Sequence, residues 1–155
     1  MTDTKQKRLR LCRVLLVCSL LFIWGNSLLP GSVSGALSQW LHRLLQALVP
    51  GEDMPPEGGG LLRKIAHFTE FACLGALLLW HELLIGREKA IPGAVLYGFA
   101  TACIDETIQC FVPDRGPSVW DVCLDTCGVA AGIFLLLAGL KVRKTKNNKH
   151  LEEKT

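Results

Sequence analysis

Residues 90–140 read AIPGAVLYGFATACIDETIQCFVPDRGPSVWDVCLDTCGVAAGIFLLLAGL, two long apolar runs joined by a short stretch that holds Asp114 and Arg115. Pro113 and Pro117 break this stretch, so the chain reads as a helix, a turn and a returning helix. A plain connector would keep its charges in the turn. Here Asp105, Glu106 and Gln109 fall inside the helical pattern of the first run, and Asp121 and Asp125 inside that of the second. Apolar helices that carry carboxylates at their ends need partners elsewhere in the chain.

Working outward, the apolar residues gather in four blocks: Val14–Leu29, Ile65–Ile85, Ala90–Val112 and Val119–Leu140. They contain 16, 21, 23 and 22 residues, and about 20 are needed to cross the hydrocarbon core of a bilayer. A 155-residue chain of this kind reads as one all-α domain, a polytopic membrane four-helix bundle. A soluble bundle with buried helices is the alternative, and the block lengths disfavour it. The first block, with the basic stretch KQKRLRLCR before VLLVCSLLFIW and a small-residue Val33-Ser34-Gly35 after it, also has the layout of a cleaved signal peptide. The next segment continues the same design, which favours a retained span.

That segment is GSVSGALSQWLHRLLQALVPGED. Val33, Leu37, Trp40, Leu41, Leu44, Leu45 and Leu48 recur at helical period, with Ser38, Gln39, His42, Arg43 and Gln46 opposite. It predicts one amphipathic interfacial helix over about 33–49, too polar to span and suited to a membrane surface. PGEDMPPEGGG then reads as a breaker-rich linker. The organisation expected is a basic amino terminus (1–13), a transmembrane domain (14–140) and a basic, polar, disordered tail (141–155).

Charge sets the orientation. With the amino terminus inside, thirteen of the 17 Lys and Arg residues fall on the cytoplasmic side, and only Arg43, Arg63, Lys64 and Arg115 fall outside. The positive-inside rule therefore predicts a multi-pass plasma-membrane protein with both termini in the cytoplasm. Basic helix flanks account for the net charge of +3, so no nucleic-acid partner is implied and the lipid bilayer is the expected surrounding. The oligomeric state is not legible. The seven cysteines include no CxxC pair, and most lie in apolar blocks as small hydrophobes. Cys110 and Cys123, near the outer ends of consecutive helices, are the pair that a disulfide could join in an oxidising space.

The polar residues within the blocks form stripes. Arg63, His67, Glu70, Leu74 and Leu77 share one helix face; Asp105 and Gln109 share another; Asp121, Asp125, Gly128 and Gly132 share a third. Gly128 and Gly132 make a GxxxG that permits close helix approach beneath the carboxylates. Alternating the helix directions puts all these groups, with Asn26 and Ser27, at the outer end of the bundle. His81 and Glu82, at the other end, read as ordinary interface residues. A shared polar site is the reading adopted; the alternative is that these groups only pair to hold the helices together.

Such a site suits acid–base chemistry or the binding of a charged headgroup. Glu106, His67, Glu70 and Asp121 are the catalytic candidates. Arg115, Gln109, Asp105, Arg63, Ser27 and Asp125 are the substrate-binding candidates, with Arg115 or Arg63 able to grip a phosphate or carboxylate bidentately. His67, Glu70, Glu106 and Asp121 would suit a borderline cation. A single histidine is few ligands for zinc, so no metal and no cofactor are expected. No Ser–His–Asp order or phosphate-cradling glycine loop is visible, and the residues leave open whether the protein is an enzyme.

Three stretches carry a resemblance. RKIAHFTEFACLGALLL resembles the RKxxHFxEYxxLG segment of the VanZ-like membrane proteins, and DETIQCFVPDRGPSVWDVCLDTCGVAAG resembles that family's DExxQxFVPxRxxSxxDxxxNxxGxxxG. IWGNSLLPGSVSGALS is similar to the weaker FxxSxxxxxxSxxxS opening. Position by position, the match covers Ser27, Ser34, Ser38, Arg63, Lys64, His67, Glu70, Asp105, Glu106, Gln109, Arg115, Ser118 and Asp121. Phe71 stands where the family usually has Tyr, and Asp125 where it usually has Asn. The family takes its name from a member of a glycopeptide-resistance cluster linked to teicoplanin. The resemblance thus implies a bacterial cell-envelope role, antibiotic resistance included. The function expected is an outward-facing site that acts on or binds an amphiphilic envelope component, such as a lipid-linked or glycolipid headgroup or a lipoglycopeptide. The alternative is a non-catalytic membrane accessory protein that assists an envelope enzyme.

Overall fold

Runs of Leu, Ala, Val and Ile without internal breakers propagate as helix once nucleated, and the apolar blocks do so here. The computed structural model describes residues 3–48 and 58–152. They form α1 (Asp3–Ser27), α2 (Gly31–Leu48), α3 (Gly58–Ile85), α4 (Ala90–Gln109) and α5 (Val119–Glu152), with no strand among the described residues. The rest of the expected linker, residues 50–57, lies outside the described residues, as does Val49 at the end of the expected interfacial helix; Gly58–Gly60, also expected in the linker, form the first turn of α3.

Three helices, α1, α3 and α5, are long and apolar enough to cross a membrane. Only 17–28 % of the residues in their apolar windows are buried, so their outer faces present large side chains such as Leu21, Phe22, Phe134 and Leu135 to the surroundings. A helix buried in a soluble core would be covered all round; these need a lipid cover. Of the four expected spans, α4 departs. Its 20 residues are long enough, at about 30 Å, but Asp105 and Glu106 in its last turns dilute its apolar character.

The bundle is built around α3, which packs against α1, α2, α4 and α5. Its closest partner is α5. A Cβ on Gly132 would collide with the Ala72 backbone and one on Gly128 would meet the Phe68 carbonyl at 2.6 Å, so the glycines let the backbones nearly touch. Phe68 pairs with Gly128 and Ala72 with Gly132, so α3 and α5 run parallel. α1 runs antiparallel to α3, with Cys12 Sγ donating to the Leu77 carbonyl at 3.6 Å at one end and Asn26 meeting Glu70 at the other. α4 is likewise antiparallel to α5. Ile23, Phe71, Leu74, Ala94, Ala102, Val129 and Ile133 fill the core between these four helices.

Several boundaries differ from the sequence expectation. α5 continues through the basic tail to Glu152, where disorder is expected. Residues 141–152 lack Pro and Gly and are rich in Lys, so extending an existing helix meets no breaker and needs no new nucleus. α1 likewise begins at Asp3, with an exposed Lys7–Asp3 pair at 2.8 Å. α4 stops at Gln109 rather than Val112, and the chain turns through Asp114, whose φ is 60°. All seven cysteines are free thiols, Cys110 and Cys123 among them. Glu82 is no ordinary interface residue: it is 2 % exposed and takes the Arg87 guanidinium at 2.9 Å.

Candidate functional site

The antiparallel order brings the end of α1, the start of α3, the end of α4 and the start of α5 to one end of the bundle. Asp105 is the centre of the polar groups collected there. It is fully buried, accepts the Gln109 side-chain amide at 2.9 Å and lies 3.9 Å from Nδ1 of His67. The same Gln109 amide reaches Ser27 Oγ on α1 at 3.5 Å. Asn26, beside Ser27, donates to Glu70 on α3 at 3.2 Å.

The turn closes over this cluster. Arg115 donates from Nη2 to the Asn26 carbonyl at 3.1 Å, while its Nε and Nη1 are buried without a partner. Burial, and then the charge of Arg63, lowers the pKa of the Arg115 guanidinium from its usual value. Glu106 accepts the backbone amide of Ser118 at 2.8 Å, and the Ser118 carbonyl accepts the amides of Asp121 and Val122. A carboxylate thus sits at the positive end of the α5 dipole.

A small pocket opens among Arg63, Lys64, His67, Glu106, Gln109, Asp121 and Asp125, with Leu124 as its apolar wall. Its cavity volume of about 10 Å³ is room for roughly one water-sized particle. An apolar groove of about 450 Å³ lies between α1 and α3, lined by Ser19, Phe22, Leu62, Ile65, Ala66 and Thr69, and bounded by Cys73 and Glu70. Glu70 therefore belongs to both the groove and the polar cluster.

Each sequence-derived site residue is found at this end, but in different relations. His67, Asp105, Gln109 and Ser27 are linked directly. Glu70 joins through Asn26, and Arg115 closes the rim. Arg63 and Asp121 line the pocket without a hydrogen bond or ion pair to its other side chains among the described residues. Asp125, one turn deeper, is 1 % exposed, and neither of its carboxylate oxygens has a partner. The four groups weighed above as a possible cation set, His67, Glu70, Glu106 and Asp121, do not converge. The groups that converge are His67, Asp105 and Asp125, because Glu70 turns to Asn26 and Glu106 to Ser118.

Asn26, Lys64 and Leu124 are site residues that sequence reasoning left out of the candidate set. Asn26 carries a visible signal, an amide near the end of an apolar run; Leu124 carries none. Trp24 Nε1 is also buried without a partner. Ser34 and Ser38 on α2 are buried but make no hydrogen bond to the cluster among the described residues.

No curated protein and no solved structure matches the sequence. A family model does, over residues 12–140, a range that contains every site residue above. The chain therefore belongs to the VanZ/LLP1 family of membrane proteins.

Proposed function

We propose that this protein binds or acts on an amphiphilic component of the cell envelope, with the headgroup at the mouth of the polar pocket and an acyl chain in the groove between α1 and α3. The observation that carries the reading is the unsatisfied polar chemistry beside an apolar groove. Oδ1 of Asp105, both oxygens of Asp125, Oε2 of Glu70 and two nitrogens of Arg115 are buried without hydrogen-bond partners. Polar groups that served only to tie helices together would satisfy one another, because an orphaned buried group costs about 1–3 kcal/mol. Orphans around a pocket are what a ligand satisfies. Arg115 and Arg63 offer donors for a phosphate or carboxylate, and Glu70, which borders the groove and joins the polar cluster through Asn26, marks where headgroup meets chain.

In this reading α4 spans as well, giving four passages through the plasma membrane, α2 on the outer surface, both termini in the cytoplasm and the pocket facing outward. Trp40, Phe111 and Trp120, all strongly exposed, suit the outer headgroup layer. Glu106 and His67 are the acid–base candidates, and a link to glycopeptide (teicoplanin) resistance follows from the family resemblance. The rival reading, a non-catalytic accessory protein, draws on the bonds Gln109–Ser27, Asn26–Glu70 and Glu106–Ser118, which do join helices.

The test compares envelope lipids and teicoplanin susceptibility in a deletion strain carrying wild-type protein, Glu106→Gln or His67→Ala, at matched membrane levels. Both variants should resemble the deletion. Wild-type lipid profile and susceptibility in both would sink the proposal.

A further inference from the structure

His67, Asp105 and Asp125 each offer one ligand atom, and the three atoms all lie within 4.8 Å of one another. The residues come from three different helices and all are buried. Asp125 is 1 % exposed, lines the pocket and has no partner for either oxygen. Asp105 has one further oxygen in the same condition. Buried carboxylates without partners are costly, so this arrangement calls for a proton or a cation on them. The protein's own cations do not supply it. Neither Arg63 nor Arg115 forms an ion pair with a carboxylate among the described residues, and only His67 approaches, at 3.9 Å from Asp105.

We infer that His67, Asp105 and Asp125 form a site for one first-row divalent cation. A mixed imidazole–carboxylate set suits Mn²⁺, Fe²⁺ or Zn²⁺ better than Ca²⁺ or Mg²⁺, which take all-oxygen shells. Ligand atoms around such an ion stand about 3.4 Å apart when each is about 2.1 Å from the metal. The 3.9 Å between His67 and Asp105 is therefore close to the spacing needed. The Gln109 amide on Asp105 Oδ2 is the outer hydrogen bond that orients the ligand. His67 and Asp125 line the pocket, so the remaining coordination positions face it and can take an anionic headgroup oxygen. That last step rests on the amphiphile reading; the ion site does not.

The test uses tag-free, full-length protein in detergent micelles, with Mn²⁺ alone as the probe and the electron paramagnetic resonance of free Mn²⁺ as the readout. Mn²⁺ is chosen because thiolates such as the exposed cysteines hold it poorly. Wild type should bind one ion per chain and melt at higher temperature with it. Asp125→Asn removes a buried charge at nearly constant volume. It should melt no lower than wild type without the ion, yet bind at least tenfold more weakly, whereas Glu88→Gln, exposed at the other end of the bundle, should bind like wild type. Absence of saturable binding by the wild type, or equal binding by wild type and Asp125→Asn, overturns the site. If Asp125→Asn does not fold, Asp105→Asn supplies the same comparison. A failed titration leaves the lipid-profile test untouched, and an unchanged lipid profile in Glu106→Gln leaves the titration untouched, so the two readings fail separately.

Discussion

The carboxylate of Glu106 accepts the backbone amide of Ser118 at 2.8 Å, so a side chain at the end of α4 holds the start of α5. Twelve residues separate them, and the intervening turn is thereby fixed at both ends. The contact places a negative charge at the α5 amino terminus, where the helix dipole favours it. It also means that Glu106 has a structural duty besides any chemistry.

Glu106→Gln keeps an acceptor oxygen for that amide, and Glu106→Ala removes it. Thermal unfolding of purified protein should show Glu106→Ala destabilised by about 1–2 kcal/mol, as for loss of a helix cap, with Glu106→Gln close to wild type. If the glutamine variant unfolds as early as the alanine variant, the charge rather than the hydrogen bond holds the turn.

Gly132 faces the Ala72 backbone with no space for a Cβ. Gly132→Val should push α3 and α5 apart, costing about 3 kcal/mol or more, and should lower the amount of folded protein in the membrane. Gly139, on the same helix, has nothing within 4 Å of a built Cβ. Gly139→Ala should raise stability by about 0.5–1 kcal/mol through helix propensity. Equal behaviour of the two variants in a melting experiment would contradict the packing described.

Arg115 combines a bond to the Asn26 carbonyl with two unpartnered nitrogens. Arg115→Lys retains the charge but not the planar fork, so affinity for an anionic lipid headgroup should fall about tenfold. Arg115→Ala should fall further and also destabilise by about 0.5–1.5 kcal/mol from the lost hydrogen bond. Headgroup binding by Arg115→Lys equal to wild type, measured in nanodiscs, would remove Arg115 from the site.

Cys110 is exposed at the turn beside the pocket, whereas Cys12 is buried. In intact cells a variant retaining only Cys110 should react with a membrane-impermeant thiol reagent added outside. A cysteine placed at Lys144, on the helical tail, should react only after permeabilisation. Labelling of Lys144→Cys from outside and of Cys110 only from inside would invert the proposed orientation.

The legible part of the site lies within single helices. The i,i+4 relation of Asp105 and Gln109, seen in the sequence, appears as a hydrogen bond. The GxxxG of Gly128 and Gly132 appears as the close α3–α5 contact. Less legible were the ends of elements. The polar composition of residues 141–152 permits a helix without demanding one, because helix extension depends on the nucleus already formed upstream. The burial of Glu82 was equally hidden, since it depends on Arg87 arriving from the following turn.

By itself, the sequence determined that the chain is helical, that its apolar faces need lipid, and that its unusual polar groups lie near the helix ends. Those properties follow from composition and from a period that each helix carries alone. Only the tertiary structure decided which carboxylates meet. Asp105 and Asp125 converge on His67, while Glu106 and Glu70 turn away to Ser118 and Asn26. A helical period states which residues share a face, but not how far that helix is rotated against its neighbours. That rotation is set by packing, here by the glycines that let α5 settle against α3.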